Sequence, residues 1–94
     1  MIESIEQLLQ IQDDKGRIAI PSNVRKLLNI TNDSIIKLTY IKTEKENTKT
    51  LLPYSEENTL DKHNRFQTTK KTREYLGLET KDYFVAKISK YTQK

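Results

Sequence analysis

Apolar and polar positions alternate through "RIAI", residues 17–20, and with β-branched side chains in it this stretch predicts a strand. Lys15 and Gly16 just before it read as a tight turn in which Gly16 supplies a positive φ. Pro21 has no N–H to donate and ends the pairing. Ser22 is then the expected N-cap of a short helix over 23–28, which Asn29 closes in the left-handed conformation. A second strand is expected from "SIIKLTYI", 34–41. The opening "IEQLLQIQ", 5–12, fits either a strand or an amphipathic helical turn; strand is favoured because no helical pattern precedes the later aspartate, where the chain reads "NTL".

The same pattern returns farther along. "RFQT", 65–68, predicts a strand, Thr69 a cap, "KKTREYL", 70–76, a helix, Gly77 its C-cap, and "YFVAKI", 83–88, a closing strand. Both helices span under two turns, so Val24, Leu27 and Leu28 in one, and Tyr75 and Leu76 in the other, must hold them on a sheet. Tyr40, Phe66, Tyr75, Tyr83 and Phe84 are assigned to the core or its rim; Tyr54 and Tyr91 are left unassigned. "KTEKENTK", 42–49, has no apolar period and reads as a hairpin tip or linker. "TLLPY", 50–54, is expected to pair with "IKLTYI", with Pro53 confining that strand to an edge or ending it.

Displacing the chain on itself by 48 residues superimposes these two patterns. Asp13 meets Asp61, Arg17 meets Arg65, Arg25 meets Arg73 and Leu28 meets Leu76. Gly16 falls on Asn64 and Asn29 on Gly77, so glycine is twice exchanged with a residue that tolerates the left-handed region. A one-residue slip is then expected to lay Asp33 on Asp82. The chain is read as a single domain, 1–94, built from two tandem pseudo-symmetric halves, 1–47 and 48–94.

Composition narrows what such a domain can do. Of the 94 residues, 34% are hydrophobic and 32% charged, a thin core that makes a compact repeat or self-association a reasonable source of stability. With no cysteine and one histidine, neither a disulfide framework nor a metal site is expected, and no cofactor. "MIESIEQLLQ" lacks the basic and apolar regions of a signal peptide, and no segment approaches a membrane span, so a cytoplasmic protein without membrane contact is expected. The net charge of +4 is uneven: residues 1–47 carry seven basic and seven acidic side chains, residues 48–94 ten and six. Lys62, Arg65, Lys70, Lys71 and Arg73 form a run with no carboxylate among them; it reads as a nucleic-acid-binding patch or as a solvated face.

"DDKGRIAIPSNVRKLLNITNDSIIKL", from Asp13, resembles the AbrB/MazE/SpoVT swapped-hairpin family in its Gly-Arg turn, its apolar strand ending in Ile-Pro and its basic helix. Residues 61–78 are similar in a degenerate form, without the glycine before Arg65 or a proline before the helix. The resemblance implies a mainly β, AbrB-like swapped-hairpin barrel with two short helices, here from tandem halves of one chain as in the MraZ proteins. It further implies a DNA-binding transcriptional regulator that contacts double-stranded DNA, as an intrachain pseudo-dimer or a homodimer. The positions so implicated are Arg17, Arg25 and Lys26 in the first half, and Arg65 and Arg73 in the second. Glu74 stands in the place of Lys26, and Lys70 and Lys71, where the first half has Ser22 and Asn23, are candidates to compensate.

Arginine suits this task because its planar fork grips phosphate or guanine edges. For Arg17 and Arg65 an ion pair with Asp13 or Asp61 is the other reading, and both roles can coexist; for Arg25 and Arg73 it is an exposed helical position. His63 reads as a solvent-exposed turn residue in reach of a phosphate. Nothing resembles a phosphate-binding loop or nucleophile elbow, and Asp13-Asp14 and Glu56-Glu57 are neighbours that point apart, so no enzyme and no small-molecule substrate is expected. Two alternatives remain: a MazE-like antitoxin, although little follows Ile88, or a protein-interaction module of this fold that has lost DNA binding.

Overall fold

The computed structural model describes residues 4–43 and 52–91, excepting the Tyr91 side chain. The boundary expected between residues 47 and 48 lies outside the described residues, as does nearly all of the 42–49 segment. Six strands and two helices follow in the order β1 (Ser4–Gln10), β2 (Arg17–Ala19), α1 (Ser22–Leu27), β3 (Ile35–Thr43), β4 (Tyr54–Thr59), β5 (Arg65–Gln67), α2 (Lys70–Leu76) and β6 (Tyr83–Tyr91). The fold is mainly β and barrel-like. An antiparallel four-stranded sheet, ordered β1-β6-β3-β4, faces a two-stranded ribbon of β2 and β5. Between them lies one core containing Leu9, Ile11, Ile18, Ile20, Ile36, Leu38, Tyr40, Phe66, Phe84, Ala86 and Ile88.

Each ladder except β1–β6 and β3–β4 runs through a pseudo-twofold axis, and those two are exchanged by it. Ile18 pairs with Phe66, and Thr39 with Lys87, each pair standing at the axis. The first strand of the first half therefore pairs with the last strand of the second half, and the first strand of the second half with the last of the first. Strand exchange between halves makes one core out of two segments too small to close alone.

The displacement of 48 holds from the first turn as far as Tyr40 and Ile88, and the slip at Asp33 does not occur; a bulge between Tyr40 and Lys42 then shifts the β3–β6 pairing by one, so that Thr43 stands opposite Phe84. Ser34 N–H donates to Thr31 O and Asp82 N–H to Glu79 O, each at 3.0 Å. The same residues' side chains accept in return: Thr31 N–H donates to Ser34 Oγ at 3.0 Å and Glu79 N–H to Asp82 Oδ2 at 2.8 Å. Ser34, not Asp33, thus does the work of Asp82; two unlike side chains supply the same acceptor at the same place.

Two further expectations are corrected and a third is extended. Ser22 is the first helical residue rather than the cap: Pro21 holds the cap position in extended backbone without a side-chain bond, whereas Thr69 accepts from Thr72 N–H at 3.1 Å as expected. Leu27 is exposed, and α1 is held instead by buried Val24 and Leu28. Of the strand expected at 50–54, residues 50 and 51 lie outside the described residues; the strand that pairs with β3, as expected, is β4, which begins at Tyr54 directly after Pro53 and runs on to Thr59 at a sheet edge. Both helices do close alike. Asn29 (φ 57°) and Gly77 (φ 69°) sit in the left-handed region, and the next residues' N–H groups reach back to Arg25 O and Arg73 O.

Candidate functional site

The two turns entering the ribbon are copies of one device. Asp13 Oδ1 accepts from the N–H groups of Lys15 and Arg17, and Asp61 Oδ1 from those of His63 and Arg65. Gly16 (φ 77°) and Asn64 (φ 59°) take the left-handed position, and each donates its N–H to the aspartate's carbonyl. The second carboxylate oxygen accepts the arginine Nε, at 2.6 Å for Arg17–Asp13 and 3.0 Å for Arg65–Asp61. Both ion pairs weighed in the sequence are present. Partial desolvation acts upward on each carboxyl, but the hydrogen bonds and the guanidinium charge outweigh it, and both aspartates stay below the usual carboxylate range.

Alternation along β2 and β5 sends Ile18 and Phe66 inward and leaves Arg17, Ala19, Arg65 and Gln67 on the outward face. Arg17 stands opposite Gln67, and Arg65 opposite Ala19. Since Nε engages the aspartate, the Nη groups of Arg17 and Arg65 make no hydrogen bond among the described residues. Each arginine is oriented by its aspartate and still has donors to offer.

The ends of the ribbon mix the halves. Thr68 N–H donates to Gly16 O and Ile20 N–H to Asn64 O, which sets the start of α2 beside the first turn and the start of α1 beside the second. The basic run that is continuous in sequence is therefore divided. Lys70, Lys71 and Arg73 lie with Lys15 at one end; Lys62 and His63 lie with Arg25 and Lys26 at the other. Lys15, Lys26, Lys62, His63, Lys70 and Lys71 are all exposed.

Arg25 and Arg73, equivalent in sequence, are used differently. Arg73 crosses the first turn, with Nη1 donating to Asp14 O at 2.9 Å and Nε buried without a partner among the described residues. Arg25 turns back and donates Nε to Ile20 O at 3.1 Å. Neither is the freely exposed helical cation considered from the sequence; both are half-buried.

Gln67 and Ala19 were outside the sequence-chosen set. The signal for both was present in the strand period, which puts them two residues from an outward arginine.

No family model matches the chain, and no curated protein matches it. Among solved structures it is similar to the solution structure of PHS018 from Pyrococcus horikoshii, with a TM-score of 0.68 at 18% identity, covering 100% of this chain and 99% of that one. That likeness shows the fold alone.

Proposed function

We propose that this chain is a cytoplasmic DNA-binding regulator of the AbrB/MazE/SpoVT kind, with both half-barrels in one polypeptide. The observation that carries the reading is the outward face of the β2–β5 ribbon, where Arg17 and Arg65 are related by the pseudo-twofold and flanked at both ends by exposed lysines. Duplex DNA is itself a two-stranded object with local dyads, so a paired-arginine face bordered by cations matches both its geometry and its charge. Arg17, Arg65, Lys70 and Lys71 are its leading contacts, with Lys26 beside the second turn, while Arg25 and Arg73 brace the turns.

Fluorescence anisotropy on labelled duplexes across a salt series tests this. Binding that weakens steeply with salt is expected, and Lys70→Gln/Lys71→Gln should lower the log–log slope by roughly 0.9 per lost phosphate contact. Absence of duplex binding at low salt overturns the reading. It would favour the protein-interaction alternative, for which the neutralisation of both central arginines by Asp13 and Asp61 is the supporting observation.

A further inference from the structure

We infer that the duplex this chain takes is not a palindrome, and that the protein binds it in one fixed orientation. The inference rests on the DNA-binding reading above and concerns what a two-chain barrel of identical halves could not do. In a homodimer every position facing the dyad is matched by its own copy; here the matched positions are different residues.

The mismatches lie on the outward face and around it. On the ribbon, Ala19 is matched by Gln67, so a methyl group stands opposite Arg65 while a carboxamide stands opposite Arg17. An amide hydrogen-bonds the edge of an adenine, whereas a methyl group meets only an apolar surface such as the thymine methyl. Gln67 is also directed, since its Nε2 donates to Lys15 O at 3.1 Å, and Ala19 has no such tether to offer.

Beyond the ribbon, exposed Lys70 and Lys71 are matched by exposed Ser22 and Asn23, and Lys26 by Glu74. Asp14 on the first turn is matched by Lys62 on the second. The exchange of strands keeps the total charge of the two ends similar but places it differently. At one end Lys70 and Lys71 sit at the start of a helix and Lys15 on the turn, where Asp14 O accepts from Arg73; at the other Lys62 sits on the turn and Lys26 in the last turn of α1. Phosphates at unequal positions are therefore engaged on either side of the axis; these contacts carry no sequence information, and the orientation is set by Gln67 and Ala19, which meet different base edges.

Selection from a random duplex library, followed by tethered cleavage, tests this in the full chain. The chain has no cysteine, so an iron chelate can be attached at Thr80→Cys or at Asn32→Cys, exposed positions that lie near the first and the second turn and carry no proposed DNA contact. A selected motif without dyad symmetry is expected. Each chelate should then cut one end of it about five- to a hundredfold more than the other, with the two chelates favouring opposite ends. Gln67→Ala, which makes the ribbon face symmetric, should reduce that ratio while binding persists. A palindromic motif, or equal cleavage at both ends, overturns the inference while leaving DNA binding intact. Failure to select any duplex overturns both.

Discussion

Arg73 occupies the space that a side chain at position 16 would need. A Cβ built on Gly16 would lie 2.6 Å from Arg73 Nε, 2.9 Å from its Cδ and 2.9 Å from Thr68 O. At the equivalent turn the residue is Asn64, which has a side chain, and the equivalent arginine, Arg25, goes to Ile20 O. The glycine is thus required by an approach as well as by a turn, and the two halves differ because only one of their turns is crossed.

Gly16→Ala should therefore cost more than its backbone strain. At Gly77, also left-handed, nothing lies within 4 Å of an added Cβ, so Gly77→Ala reports the strain alone, about 1 kcal/mol. Gly16→Ala should cost about 2–3 kcal/mol, and adding Arg73→Ala should recover only part of that because Thr68 O remains in the way. Urea denaturation of the four proteins measures it. Equal costs at the two glycines would remove the steric argument.

The helix starts give a second comparison. Ser22→Ala should leave stability within about 0.5 kcal/mol of the parent, since Ser22 caps nothing. Thr69→Ala should cost about 1 kcal/mol, because Thr69 Oγ1 accepts from Thr72 N–H and also donates to Thr72 Oγ1 at 2.9 Å. The same denaturation series decides it, and a costly Ser22→Ala would contradict the assigned start of α1.

Much of this was legible in the chain, and what was not has particular causes. Gly16, Asn64, Asn29 and Gly77 announced their backbone because few residues adopt a positive φ cheaply. β4 was missed beyond Tyr54 because its alternation is not apolar: an edge strand with Ser55, Glu57 and Asn58 exposed is formed by pairing with β3 rather than by its own burial. Identity misled at Asp33, where hydrogen bonding shows Ser34 to be the counterpart of Asp82. The arginines could be chosen from the sequence, but not their grouping. Which turn meets which helix depends on strand exchange, and no local pattern encodes that.

The acid limb of stability should report the two turn aspartates. Both have native pKa values held below the ordinary one, so the native state favours their ionised form. Their contribution is present above the unfolded value, near pH 4, and is lost as pH falls through the depressed native values. Asp13→Asn/Asp61→Asn keeps an oxygen to accept the turn N–H groups but removes the titration. Its thermal midpoint should fall less steeply than the parent's below about pH 4. Parallel curves would exclude the aspartates as the source.

Tyr40 and Glu56 provide the most stringent test of how the halves diverge. The Tyr40 hydroxyl donates to Glu56 Oε1, and Glu56 Oε2 accepts from Thr72 Oγ1 at 3.0 Å, tying β3, β4 and α2 together. Burial first, and then the Glu56 charge, hold Tyr40 un-ionised far above the ordinary tyrosine range. In the other half, Ile88 stands for Tyr40 and Val24 for Thr72, both buried, so the equivalent positions there are apolar. Tyr40→Phe should cost about 1 kcal/mol, the net value of one hydrogen bond, because half-buried Glu56 can take water instead. Glu56→Ala should cost about 2–3 kcal/mol, since it leaves the buried hydroxyls of Tyr40 and Thr72 without their acceptor. The double variant should then cost about 0.5–1 kcal/mol less than the sum, because Phe at position 40 no longer needs what Glu56 supplied. Strictly additive losses in urea denaturation would mean that the two side chains act independently.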